Sequence, residues 1–145
     1  MRKLATVLLF LTLLGSALAS PARTSTADAS MNAFWDKFKA AVIKGDKEAV
    51  FAMSALPVEM EYVMPRIRTK AQFMKNYKHI FAGEANAAKC FQTAKPDVDP
   101  ANRKVFTVAC GFAEDNTGAA GEPLQYTFRL TRAGWRFVGY DNVNE

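Results

Sequence analysis

The chain has 145 residues, half of them apolar, with nineteen basic and fourteen acidic side chains and a formal charge of +5; residues 1–19 carry two of the basic ones and no acid, so the remaining 126 carry +3. That length holds one ordinary domain with a single core, and such mild basicity does not by itself require a nucleic-acid partner. Two cysteines outside any C-x-x-C spacing and one histidine, His79, cannot make a four-ligand zinc site.

Residues Met1 to Ala19 have the pattern of a signal peptide: basic Arg2 and Lys3, an apolar run from Leu4 to Leu14, and the small-residue exit Ala17-Leu18-Ala19 before Ser20. The run is too short to span a bilayer and no second long one follows. The pattern predicts an exported, periplasmic or extracellular domain with no stable membrane anchor, and export argues against nucleic-acid binding. Ser20 to Ser30 is small, polar and proline-bearing, a flexible lead-in; the folded domain is expected over 31–145.

Phe34, Phe38 and Val42 recur every four residues beside Trp35 and Ile43, with Asp36, Lys37 and Lys39 opposite, which predicts an amphipathic helix ended by Gly45. Asp46 has the character of an N-cap for a short second helix, with Ala49, Val50 and Met53 facing inward and Pro57 closing it. Val58, Met60 and Tyr62 alternate with Glu59 and Glu61 as in a half-exposed strand over 58–63. Thr69 and Gln72 have capping-box spacing and open a third helix that carries Phe73, Tyr77, Ile80 and Phe81 on one side until Gly83. The basic residues from Arg66 to Lys78 read as a solvated helix face and its approach.

Beyond Gly83 the composition becomes aromatic and β-branched, and four strands are expected over 89–94, 103–113, 124–131 and 135–143. The clearest alternates Leu124, Tyr126, Phe128 and Leu130 on one face. The following turn, Arg132-Ala133-Gly134, leaves the register of the last strand open between a two-residue loop and a three-residue loop with a glycine bulge.

Between Cys90 and Cys110 the loop KPDVDPANRK is centred near Pro100. A hairpin folded about that centre sets Cys90 opposite Cys110, Gln92 opposite Val108 and Ala94 opposite Phe106. Opposed cysteines whose Cα atoms lie about 4.5–5.5 Å apart can be bridged, and an exported chain meets oxidising conditions, so a cross-strand disulfide is predicted.

Helix, short helix, strand, long helix, then a long-stranded antiparallel sheet resembles the nuclear transport factor 2-like, or cystatin-like cone, superfamily from about Met31 to Glu145. The resemblance rests most on Arg132-Ala133-Gly134-Trp135-Arg136-Phe137-Val138, with Phe34-Trp35 and the Gly45-Asp46 break also fitting. It implies an α+β fold with N-terminal helices packed on a curved antiparallel sheet around a conical pocket, in a superfamily ranging from isomerases and dehydratases to binding and immunity proteins. In isomerase-like members an acid or base and a hydrogen-bond donor act inside the cone. The candidates here are Asp141 as the acid/base and Tyr62, Tyr77, Tyr126 and Trp135 as pocket-lining groups. No metal or other cofactor is expected.

The leading expectation is an exported binding or interaction domain. Its cone would take a small apolar ligand, or its sheet face a protein partner or a second copy; eleven phenylalanines suit either. The alternatives are an isomerase- or dehydratase-like enzyme, which needs Asp141 and a tyrosine pointing into the cone, and an inhibitor or immunity-type protein.

Overall fold

A computed structural model describes residues 26–60, 65–112 and 124–143. The leader and most of the lead-in, together with Glu61 and Tyr62, lie outside the described residues.

The elements are α1 (Thr26–Lys44), α2 (Lys47–Ala52), β1 (Ser54–Glu59), α3 (Lys70–Ala82), α4 (Ala87–Cys90), β2 (Asp97–Val98), β3 (Val105–Cys110), β4 (Leu124–Thr131) and β5 (Gly134–Asn142). The strands form one sheet in the order β1-β5-β4-β3-β2. Pairing is antiparallel throughout except that β1 runs parallel to β5. The α+β class expected from sequence holds, with a mixed sheet in place of a purely antiparallel one. Among the described residues, no helix is long and apolar enough to cross a membrane.

The helices form where their caps and periodicity place them. Gly45 ends α1 at φ +73°, a left-handed conformation that glycine adopts without a Cβ clash. Asp46 Oδ1 accepts from the Ala49 amide at 3.0 Å to open α2. Thr69 and Gln72 make the full capping box of α3. At its other end α1 begins at Thr26, five residues ahead of the expected Met31. Two tertiary contacts hold that first turn: Arg103 donates to both carboxylate oxygens of Asp28 at 3.2 Å, and Trp135 Nε1 donates to Ser30 Oγ at 3.3 Å.

Three sequence expectations are corrected. Pro57 does not close α2, which ends at Ala52; it lies within β1, which begins at Ser54 and not at Val58, and residues 61–63 of the expected strand lie outside the described residues. Proline is tolerated there because β1 is an edge strand and Leu56-Pro57 is its exposed stretch. Residues 89–94 are not a strand: Asn86 accepts from the Lys89 amide at 3.1 Å and starts the single turn of α4, and the Ala94 amide donates to Cys90 O at 2.9 Å. The partner of β3 is therefore β2, with Asp97 opposite Thr107 and Val98 opposite Phe106. Pro96 and Pro100 bracket β2 and, lacking amide donors, keep it to two residues.

The predicted disulfide exists, but it joins the end of α4 to the end of β3 and not two paired strands. Cys90 and Cys110 are bonded with Cα atoms 5.9 Å apart across a sequence separation of 20.

The core lies between the helices and one face of the sheet and consists largely of stacked and edge-on rings. Phe128 is its hub, 4.6 Å from Phe106, 4.9 Å from Phe38 and 5.6 Å from Phe137 between ring centroids. Trp35 and Phe91 meet at 4.9 Å and so tie α1 to the residue after α4. Each such pair contributes about 0.5–1.5 kcal/mol beyond the burial of its area.

The last hairpin has a two-residue loop, Arg132-Ala133, with Thr131 opposite Gly134 and Leu130 opposite Trp135; Gly134 sits at φ +90°. Further along the register slips. Phe128 faces Phe137 but Thr127 faces Gly139, leaving Val138 as the extra residue of a β-bulge. Beyond the bulge Tyr140 stands opposite Tyr126 and Asp141 opposite Gln125. Tyr140 and Asn142 are thereby turned into the core, and Asp141 is turned onto the outer face.

Because the bridge closes a loop of about twenty residues, replacing both Cys90 and Cys110 by serine is expected to lower stability by about 3 kcal/mol. Urea denaturation of the double variant against the oxidised protein measures it; an unchanged midpoint would mean the bridge constrains nothing.

Candidate functional site

Polar groups enter the core at one end of the helix–sheet sandwich, around the last turns of α3. Tyr77 and Phe81 are four residues apart on the inward side of α3, with rings 4.8 Å apart. Phe81 stacks on Tyr126 of β4 at 5.7 Å, and Tyr126 meets Tyr140 of β5 at 5.0 Å. All three tyrosines are buried. Tyr126 donates its hydroxyl to Ile80 O at 2.8 Å and so pins β4 to α3. The hydroxyls of Tyr77 and Tyr140 are shut off from solvent and have no hydrogen-bond partner. A buried hydroxyl left this way costs about 1–3 kcal/mol, and two of them lie in this one cluster.

Electrostatics keep these phenols neutral. Burial raises Tyr126 well above the ordinary phenol value, with Tyr140, Glu84 and Tyr77 adding to it. Tyr140 is raised by burial and by Glu84, and Tyr77 by burial and by Asp46. Lys47 Nζ lies 5.4 Å from the centre of the Tyr77 ring. The cluster can donate or accept a hydrogen bond over a wide pH range, and the Glu84 carboxylate disfavours an anionic guest.

The pocket-lining candidates therefore separate. Tyr77 and Tyr126 come together. Trp135 does not join them: it lies near the hairpin end of β5, 5.1 Å from Phe106 and bonded to Ser30, where it holds α1 on the sheet. Tyr62 is outside the described residues. Tyr140 was missed by sequence reasoning because an unbulged two-residue hairpin points it outward; the one signal was Gly139, a glycine inside a strand, which often marks a bulge.

Asp141 is also corrected. It does not enter the cone but lies on the opposite face of the sheet, in a half-open cavity of about 180 Å³ lined by Glu59, Thr127, Arg129, Val138, Gly139 and Tyr140. An acid/base pairing with Tyr126 inside the cone is ruled out by that geometry. Glu59 is held by Arg66 at 2.7 Å. His79 is half-buried with Nε2 unpartnered. Among the described residues, no group of three or more His, Cys, Asp and Glu side chains could hold a metal ion.

No protein-family profile and no curated protein sequence matches the chain. Solved structures similar to it include a ketosteroid isomerase-like protein from Shewanella frigidimarina, at 11% identity over 80% of this chain and 96% of that one, with a TM-score of 0.45. A nuclear transport factor 2-like protein with a cystatin-like fold from Novosphingobium aromaticivorans is similar at 16% identity over 79% of each chain, with a TM-score of 0.41. A domain of unknown function with a cystatin-like fold from Nostoc punctiforme is similar at 16% identity over 84% of this chain and 80% of that one, with a TM-score of 0.44.

Raised phenol values mean that, as pH climbs past about 10, the unfolded chain loses tyrosine protons that the folded one retains. Stability is therefore full below that pH and falls above it, by roughly 1.4 kcal/mol per pH unit for each such tyrosine. Tyrosinate absorbance and circular dichroism followed together through alkaline pH should report buried tyrosine ionisation and unfolding as one transition. Free ionisation of all the tyrosines in a still-folded protein would contradict the burial.

Proposed function

We propose that the protein is an exported binding domain, periplasmic or extracellular, that takes a small neutral ligand with an apolar or aromatic body and one hydrogen-bonding atom at the tyrosine end of its cone. The observation that carries the reading is the buried, unpartnered Tyr140 hydroxyl beside Tyr126, because a ligand acceptor there would supply the bond that the fold leaves unmade. Ring packing supports binding over chemistry: Phe38, Phe91, Phe106 and Phe128 fill the α1 side of the interior with apolar contacts. The leader pattern of Met1 to Ala19 and the Cys90–Cys110 bridge support export, since reducing compartments keep such thiols apart.

The sheet's outer face supports self-association less well. It presents Thr107, Ala109, Gln125, Thr127 and Arg129, a mixed surface in place of a contiguous apolar one.

Acetophenone and ethylbenzene, nearly the same shape with and without a carbonyl acceptor, are suitable probes in amide-resolved NMR titrations. The wild type should bind acetophenone about 2–10-fold tighter, and Tyr140→Phe should abolish the difference, since one net hydrogen bond is worth about 0.5–1.5 kcal/mol. The same variant should raise stability by about 1–3 kcal/mol, since it removes a buried hydroxyl that has no partner, whereas Tyr126→Phe should cost about 1 kcal/mol by losing its bond to Ile80. Equal binding of both probes by the wild type would sink the reading.

A further inference from the structure

We propose that the Cys90–Cys110 bridge is a redox latch on the tyrosine end of the cone: bonded, it holds the Phe91 ring against Tyr126, and a dithiol that reduces it frees that ring and weakens ligand binding there. The inference rests on the reading of that end as a ligand site. The two ends of the bridge are held unequally. Cys110 closes β3, whose six residues all pair with β4 down to Cys110 opposite Leu124. Cys90 closes the single turn of α4, and every backbone hydrogen bond of residues 86–94 stays within that segment, such as Phe91 N to Ala87 O at 2.8 Å and Ala94 N to Cys90 O at 2.9 Å. Apart from the bridge, side-chain packing joins this segment to the rest of the described residues. Its largest anchor is Phe91, fully buried and 4.9 Å from Trp35, 6.5 Å from Phe38 and 5.0 Å from Tyr126 between ring centroids.

Phe91 follows Cys90 directly in the chain, so the sulfur tie limits how far its ring can move. Once the bridge is reduced, the Cys90 thiol keeps at most a weak donor contact to Ala109 O, 3.5 Å away. The ring's place then becomes an equilibrium between packed and released, and a ligand that needs the packed wall binds in proportion to its population. The sulfurs also differ in access. Cys90 keeps part of its surface in solvent, whereas Cys110 is fully buried, so exchange starts at Cys90. One thiolate of the dithiol attacks Cys90 Sγ, the S–S bond breaks, and Cys110 leaves as a thiolate that takes up a proton. The second thiolate of the dithiol then displaces Cys90 from the mixed disulfide. The bridge gains two electrons, and the dithiol is oxidised to its own disulfide.

The test compares the disulfide-bonded protein before and after treatment with dithiothreitol, with acetophenone as the ligand probe. Reduction should erase nuclear Overhauser contacts from the Phe91 ring to Trp35 and Tyr126 while those between Phe128 and Phe137 persist, and should weaken acetophenone binding by about fivefold or more. Phe91→Ala with its bridge intact should bind the probe as weakly as the reduced wild type, with no further loss on reduction. Glutathione in place of the dithiol should form its mixed disulfide on Cys90, as peptide mass mapping reads. Phe91 contacts that survive reduction would overturn the proposal, as would an undiminished redox difference in Phe91→Ala or a glutathione adduct on Cys110. Loss of the β4–β5 contacts together with those of Phe91 would overturn it too, by making the bridge a staple of the whole fold. Equal binding of acetophenone and ethylbenzene by the oxidised protein sinks the ligand reading on its own, and the Phe91 contacts then decide the latch.

Discussion

One unpaired residue in the last strand, Val138, decides what this molecule offers to a ligand. In a ladder with side-chain period two, each inserted residue exchanges the two faces of everything beyond it. The bulge therefore delivers Tyr140 and Asn142 to the core and removes Asp141 from it. Burying a phenol that packs on Tyr126 is favourable, while an unpaired carboxylate in the same place would be strongly opposed by desolvation. The inserted residue keeps the strand's final segment compatible with an aromatic core.

The rest of the fold holds that strand in place. β5 is paired on both sides, with β4 along its length and with β1 in parallel, and the Phe137 amide donates to Met53 O at 3.0 Å. Phe137 and Phe128 lock the segment before the bulge against Phe38 and Phe81. At the hairpin end, Trp135 ties β5 to the first turn of α1 through Ser30. The Cys90–Cys110 bridge fixes the end of β3 to the turn that carries Phe91, which in turn packs 5.0 Å from Tyr126. The tyrosine cluster is thus framed by covalent, aromatic and ladder contacts that converge from three directions. Two of its hydroxyls stay unmatched within this frame.

Much of the architecture was legible because local signals agreed with the global fold. The Thr69–Gln72 box, the Gly45 stop and the strict alternation of β4 each have a single physical reading, and each appears where that reading places it. The disulfide was legible as a pair but not as a geometry, because hairpin symmetry about Pro100 ignored the helix that Asn86 starts just before Cys90. Pro57 misled for the opposite reason. A proline is a dependable stop for a helix but only a restriction on an edge strand, and the difference depends on sheet order, a tertiary fact. The candidate site was half visible: Tyr77 and Tyr126 follow from periodicity, but Tyr140 and the outward Asp141 depend on a bulge whose only trace in the sequence is Gly139.

The two faces of the bulged segment give the molecule two chemically different surfaces, neutral phenols within and a carboxylate-lined cavity without. That division stands or falls with the register of β5, which backbone nuclear Overhauser contacts between β4 and β5 measure directly. The account predicts contacts joining Thr127 to Gly139, Tyr126 to Tyr140 and Gln125 to Asp141. Contacts joining Thr127 to Val138 and Gln125 to Tyr140 would mean an unbroken ladder, with Asp141 inside and Tyr140 outside, and would contradict it.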